Sequence, residues 1–305
     1  MVNRIEHPRV DAAVRSADPW RGRYGSPVGE VTIRASYPPT RIDDRAAWEL
    51  IAAAAAGERV DGHLARIDGT WKFSGEASEL ALTTLNLLLP VLGPTPAARP
   101  LVIGHIAQSL DGRIALPNGV SQWISGEGDL THTHRLRALA DAVVVGANTA
   151  AIDDPQLTVR RVDGSNPVRV ILDPTRRLSD DLRVFSDGAA ETIRVCGAAH
   201  AQPEDLSMPL LDGVVRPSEL LVALHERGMR RVLVEGGGRT VSHFLAAGVL
   251  DRLHLVISPI ILGEGLPSLH IDGVGPDLST SLRPQVTTHR LDDDLVLDCA
   301  FGNRR

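Results

Sequence analysis

Two stretches of this chain carry residue types that do chemistry at short spacing. In the first, Ser109-Leu110-Asp111-Gly112-Arg113 ends the apolar run Leu101 to Ile106 and plants an acid and a base two residues apart. Such a break beside a buried strand end is where binding loops sit. Asp-Gly is also a common turn dipeptide, so Asp111 and Arg113 need no chemistry on that ground alone. Further on stand Arg137 and Arg160. Guanidinium groups suit bidentate phosphate recognition, although the same residues serve equally as solvated surface cations. The second stretch is Val232-Leu233-Val234-Glu235-Gly236-Gly237-Gly238. Glycines after a strand and before a helix let backbone N–H groups approach a phosphate, and the helix N-terminus favours its charge. A tight strand-to-helix turn accounts for them too, and the G-x-G-x-x-G dinucleotide fingerprint is absent. Glu235, at the end of a buried strand, requires a partner. Paired with an arginine it would be structural. Facing a polar substrate it would be a site residue whose Gln variant melts near wild type. His132 and His134 are spaced i, i+2 on a helical pattern and point apart, which argues against a metal site. Asp292-Asp293-Asp294 reads as a solvated turn.

The elements that must position these residues alternate. A helix over 126–140 carries the histidines and Arg137, and strands follow at 142–145 and 168–172. A helix over 217–227 leads into a strand at 231–234, the glycines open a helix at 239–247, and a strand follows at 252–258. Residues 286–300 read as a hairpin turning at 292–294. This alternation predicts an α/β open sheet covered on both faces, and the last hairpin makes it mixed. Upstream, a helix over 42–57 capped by Asp43 or Asp44, a hairpin at 60–75 around Asp68-Gly69, and a helix over 77–92 form a small α+β extension. Gly93-Pro94-Thr95-Pro96 reads as a linker, dividing the chain into residues 1–98, of unassigned role, and a domain over 99–305. Residues 1–40 read as an irregular arm, in which Trp20 to Tyr24 is a candidate interface.

Composition bounds the rest. With 305 residues, 43% of them hydrophobic, the chain can bury a substantial core, and with 3% aromatics that core is aliphatic. A net charge of −6 argues against a nucleic-acid partner. The two cysteines, Cys196 and Cys299, argue against a disulfide framework. No membrane-spanning run or signal-peptide pattern stands out, so the cytoplasm is the default location.

The order of these blocks resembles the pyrimidine reductase domain of riboflavin biosynthesis, the C-terminal half of the bifunctional deaminase–reductase. The matching blocks are A-Q-S-L-D-G-R-I-A from Ala107, S-Q-W-I-S-G from Ser121, H-R-L-R from His134, D-A-V-V-V-G-A-N-T from Asp141, D-D-P-Q-L-T-V-R from Asp153 and the Glu235 to Gly238 block. The resemblance spans roughly residues 100–300. It implies a dihydrofolate-reductase-like fold, mixed and mostly parallel, and an NADPH-dependent reduction of a ribosylaminopyrimidine 5′-phosphate to its ribitylamino form. A pterin or folate-type reductase and a non-catalytic NADPH-binding protein are the alternatives. It implies cofactor contacts at Ala107, Trp123, Thr149, Asp153, Gly236, Gly237, Gly238, Arg239 and Thr240. Substrate contacts fall on Ser121, Arg137, Leu157, Arg160 and Glu235, and Asp111, Arg113 and Glu235 fall at the reacting centre. It also implies a homodimer. The zinc motifs of the deaminase half, C-x-x-C and H-x-E, are absent. Pro174 after Asp173, Ile260 in place of a family lysine, and Gly238-Arg239 in place of Pro-Thr depart from the family pattern.

Overall fold

The computed structural model describes residues 41–60, 62–122, 124–271, 279 and 281–302. The arm containing Trp20 to Tyr24, and Trp123, lie outside the described residues. Helix α1 (Asp44–Ala55) starts at Asp43, whose side chain accepts the Ala46 N–H. The hairpin β1 (Leu64–Ile67) and β2 (Thr70–Phe73) turns at Asp68 and Gly69, both at positive φ. Helix α2 (Glu79–Leu88), capped by Ser78, gives way to a 3₁₀ turn at Leu89–Leu92, because Pro90 cannot continue the α-helical ladder.

From there strands and helices alternate: β3 (Leu101–Ser109), β4 (Arg113–Ala115), α3 (Glu127–Leu139), β5 (Ala142–Gly146), α4 (Ala147–Asp153), β6 (Val168–Leu172), α5 (Arg183–Ser186) and β7 (Thr192–Gly197). Then come β8 (Leu206–Met208), β9 (Leu210–Leu211), β10 (Val214–Val215), α6 (Pro217–Glu226), β11 (Arg231–Glu235), α7 (Gly238–Ala246), β12 (Arg252–Ser258), β13 (Leu266–Pro267), β14 (Gln285–Leu291) and β15 (Asp294–Ala300). The main sheet has the order β14-β15-β12-β3-β11-β5-β6-β7-β8, parallel throughout except where β15 pairs with its neighbours. β3 runs three residues beyond the apolar run, through Ser109, since its pairing with β12 continues to Ser258.

One core lies under α1, α2 and α3, with Ile103, Val143, Val145 and Leu233 of the sheet in it. The other lies under α6 and α7, against Val102, Val144, Val170 and Val232. Helices therefore cover both faces, as the alternation predicts. Residues 41–98 pack into the first core, and Arg135 of α3 reaches Asp44 at the start of α1 at 2.6 Å. Among the described residues no helix is long and apolar enough to cross a membrane. Both cysteines are free and buried, and burial pushes the Cys196 thiol up to about 12.

Helix α3 is not amphipathic in the usual sense. Asp129, His132, His134 and Arg135 are all buried. Asp129 and His132 meet a polar row that crosses the sheet in register: Glu235 beside His105, His105 beside His254, His254 beside Asp298. His105 Nε2 lies 2.9 Å from Asp129, and His132 Nε2 lies 2.9 Å from His254 Nδ1. Buried polar groups need partners, and here His105 finds Asp129 and His254 finds His132 across the helix–sheet contact.

The Asp292 to Asp294 turn also differs from its reading as a solvated loop. The start of α3, Gly126, has no side chain to cap with. Asp294 accepts the Gly126 N–H at 2.7 Å and Asp292 accepts that of Gly128 at 2.8 Å. The hairpin tip thus supplies the cap from 168 residues away in sequence. Removing a cap costs about 1–2 kcal/mol. Asp294→Ala is therefore expected to lower unfolding stability by about that amount in urea titrations, with Asp293→Ala within about 0.5 kcal/mol of wild type. Equal effects from both would contradict the cap.

Candidate active site

The parallel strands β3, β11 and β5 point their C-terminal ends to one edge of the sheet, and the candidate residues gather there, where open α/β sheets bind ligands. Glu235 is the last residue of β11, and the glycines follow it directly. Gly236 and Gly237 have φ of 66° and 32°. A Cβ on Gly236 would lie 2.8 Å from Thr149 Cγ2, and one on Gly237 would lie 2.7 Å from Thr149 Oγ1. A Cβ on Gly238 would run into the Ser268 carbonyl oxygen. Only glycine fits this loop, and Thr149 of α4 is one wall of it. No side chain caps α7, which starts at Gly238, so its first amides keep the positive end of the helix open. Arg239 is exposed and Thr240 is buried against Gly146. Ala107 lies in β3 beside Val256. Trp123 lies outside the described residues.

The second group is held by α3 and the segment after α4. Arg137 and Glu235 form a bidentate pair, Nε to Oε1 at 2.7 Å and Nη2 to Oε2 at 2.6 Å, with both side chains about nine-tenths buried. Burial alone would lower the Arg137 pKa, but the Glu235 charge and hydrogen bonds raise it. Of the two readings open for Glu235, the arginine partner is the one found. Arg137 Nη1 also donates to the Thr158 carbonyl at 3.2 Å. Leu157 is buried and left-handed at φ 54°, a conformation uncommon for a side chain of its kind.

Arg160 is exposed. Its Nη1 donates to the Thr158 hydroxyl, and among the described residues no carboxylate pairs with it. Desolvation, followed by the charges of Arg137, Arg183 and Arg161, lowers its pKa. Those three neighbours each have an acid: Glu235, Asp154 and Glu127 respectively. Arg160 is the cation of this cluster left to receive an anion. Ser121 donates to Asp153 at 3.4 Å, joining a residue of the substrate set to one of the cofactor set. Solvent reaches Asp153, yet crowding by neighbouring atoms desolvates its carboxyl and raises its pKa.

Asp111 lies in the turn that follows β3, and Arg113 opens β4. Asp111 accepts from Ser109 Oγ at 2.6 Å and from the amides of Leu262 and Gly263 at 3.1 and 2.7 Å. These bonds, the Ser109 one foremost, hold its pKa down at about 2. It is ionised at neutral pH and occupied as an acceptor, which ties the β3–β4 turn to the 260–263 loop. Arg113 Nε donates to the Gly263 carbonyl at 3.3 Å across the same seam. Ile260 contributes to it through its carbonyl, which accepts the Leu110 N–H at 2.8 Å.

Sequence reasoning missed His134 and Thr158. The signal for His134 was its i, i+3 relation to Arg137, which puts both on one helix face. His132 and His134 do point apart, to the sheet and to Arg160. Among the described residues no group of three or more His, Cys, Asp and Glu is placed to hold a metal ion. A cavity of about 690 Å³ lies elsewhere, between Trp71 and Lys72 of the β1–β2 hairpin and Arg283 and Phe301, and none of the candidate residues lines it.

Removing one partner of a buried pair costs about 3–5 kcal/mol, because the other charge is stranded. The pairing therefore replaces the expectation of a near-wild-type melting temperature for Glu235→Gln. That variant is expected to lose about 3 kcal/mol in chemical denaturation, and Arg137→Met/Glu235→Met to lose clearly less than the two single losses summed. A Glu235→Gln protein within about 0.5 kcal/mol of wild type would contradict the pair's structural role.

The RibD C-terminal domain family matches residues 100–296. The chain is 36% identical over 211 residues to the 2,5-diamino-6-ribosylamino-4(3H)-pyrimidinone 5′-phosphate reductase of Methanothermobacter thermautotrophicus, covering 66% of this chain and 97% of that one. It is 34% identical over 242 residues to the riboflavin biosynthesis protein RibD of Mycobacterium tuberculosis, covering 73% of this chain and 65% of that one. Among solved structures it is similar to a diaminohydroxyphosphoribosylaminopyrimidine deaminase/5-amino-6-(5-phosphoribosylamino)uracil reductase from Thermotoga maritima, with TM-score 0.58 and 32% identity over 74% of this chain and 64% of that one. The chain thus spans somewhat under two thirds of the bifunctional relatives' length and nearly all of the shorter reductase's. On the extent of these matches, the chain belongs to the RibD C-terminal domain family.

Proposed function

We propose that this protein is an NADPH-dependent reductase of a ribosylaminopyrimidine 5′-phosphate, converting the ribosylamino group to ribitylamino. The observation that carries the reading is Arg160, an exposed cation without a carboxylate, linked through Thr158 and Arg137 to the carboxylate that opens the glycine loop. A phosphate bound there leaves the rest of the substrate to extend toward Glu235. The relatives' names supply the substrate class, and the site supplies the groups such a substrate needs.

The glycine loop fits a dinucleotide: no Cβ can be added at Gly236, Gly237 or Gly238 without collision, and α7 offers an uncapped N-terminus. Gly236 to Thr240 would hold the pyrophosphate, with Thr149, Asp153 and the Ala107 backbone lining the remainder. The nicotinamide, when bound, supplies a hydride to C1′ of the opened sugar. The chain's own residues anchor and orient. Arg160 holds the phosphate, Ser121 and the Leu157 to Arg160 segment line the substrate, and the Arg137–Glu235 pair forms a fixed polar wall beside it. Asp111 and Arg113 brace the loop at residues 260–263 and act by position. The homodimer and the cytoplasmic location belong to the same proposal. The edge strand β14, whose residues 285–288 are exposed, offers one surface for a second copy, and sedimentation is its check.

A charge-assisted hydrogen bond to phosphate contributes about 1.5–3 kcal/mol. Arg160→Ala is expected to raise KM for the phosphorylated aminopyrimidine by about 10- to 100-fold, followed by NADPH absorbance, while leaving NADPH binding near wild type. Wild-type turnover no faster than a buffer blank, or equal KM for substrates with and without the phosphate, would refute the substrate assignment.

A further inference from the structure

The segment Leu157 to Arg160 presents the cation on which the proposed function rests, and it is held from several sides. The Thr158 carbonyl accepts from Arg137 of α3. The Val159 N–H donates to Asn166 Oδ1 at 2.7 Å. The Arg160 N–H donates to His134 Nδ1 at 2.9 Å. The amides of Val159 and Arg160 are therefore spent inside the protein and are not offered to a ligand. What the segment offers outward is the Arg160 guanidinium. Its direction depends on a backbone that is itself unfavourable, since Leu157 is left-handed. Such a conformation persists only where the surroundings over-determine it.

We infer that His134 is a positioning residue for substrate recognition: its Nδ1 fixes the Arg160 backbone and so aims the phosphate-binding guanidinium. His134 is buried and lies on the same face of α3 as Arg137, one turn before it. The acceptor role requires the neutral imidazole. The charged groups facing the ring are Arg137 on its own helix, Arg160 and Arg161 on the segment, and Glu235 at the end of β11. Burial first, then the arginines, pushes its pKa down to about 4, against the opposing effect of Glu235. At neutral pH the ring is therefore uncharged. Nδ1 carries the lone pair and Nε2 the proton. A protonated ring would have no acceptor to give and would add a fourth positive charge beside Arg137, Arg160 and Arg161. The one helix thus serves both halves of the site, holding Glu235 through Arg137 and aiming Arg160 through His134.

This inference rests on Arg160 as the phosphate anchor, and the test separates the two. His134→Phe keeps a flat ring and removes the acceptor, whereas His134→Asn places an amide oxygen near the lost Nδ1. For His134→Phe, KM for the phosphorylated substrate is expected to rise about 10-fold, with kcat and KM for NADPH within about twofold of wild type. His134→Asn is expected to recover most of the loss. An unchanged substrate KM in His134→Phe, or a fall in kcat with no recovery in His134→Asn, overturns the inference. Should His134→Phe fail to fold, His134→Met against His134→Asn makes the same comparison. If the wild type shows no turnover, the reductase reading fails by itself. Calorimetry with ribose 5-phosphate then decides the inference, with weaker binding in His134→Phe supporting it and equal binding overturning it.

Discussion

The Arg137–Glu235 pair is the constraint on which the site depends. Its two members are 98 residues apart, one from the covering helix and one from the end of a central strand. Both are nearly buried, so neither can be left alone without stranding a charge. Bidentate geometry fixes the rotation of α3 about its axis relative to β11. With that rotation set, His134 faces Arg160, and His132 and Asp129 face His254 and His105. The polar row through His105, His254 and Asp298 extends the same registration to the far side of the sheet.

This explains how a helix with so little apolar periodicity packs on a core. α3 is bound to the sheet by a set of polar pairings beside the buried Leu136 and Leu139, and its N-terminus is capped by the β14–β15 turn. Polar pairings of this kind are specific about register, because a one-residue slip would leave several buried groups without partners. The same helix reaches the other way through Arg135, which pairs with Asp44 and Thr84 and lies over Trp48 at 5.7 Å. Residues 41–98 are thus attached to the site-bearing helix, outside the span that the family match covers.

Much of the fold was legible because its signals are local. The apolar strands, the Asp68-Gly69 turn and the glycines after Glu235 each carry their reason within a few residues. The glycine loop was read for its backbone freedom, and the structure adds that Thr149 and Ser268 leave no room for a side chain. What stayed illegible was long-range polar pairing. Nothing near Asp292 or Asp294 in sequence says that they end on Gly128 and Gly126, so a run of three acids looked like solvent-exposed turn. Glu235 was read with two possible partners, and only the fold shows that the arginine chosen is Arg137. Arg137 and Arg160 looked alike as cations, yet one is neutralised inside the protein and the other is open. Asp111 is legible as a turn acid, but not the three hydrogen bonds that make it a tie between loops. The strands β8 to β10 stayed unread because segments of two or three residues are too brief to show a period.

The proposed function divides labour between the two arginines, with Arg137 kept for Glu235 and Arg160 kept for the substrate's phosphate. A crystal structure with NADPH and a phosphorylated aminopyrimidine analogue tests it most directly. The phosphate is expected within hydrogen-bonding distance of the Arg160 guanidinium, with both Arg137–Glu235 contacts intact and the pyrophosphate at the Gly236 to Thr240 loop. A phosphate seated on Arg137, with Glu235 released and Arg160 turned to solvent, would contradict it.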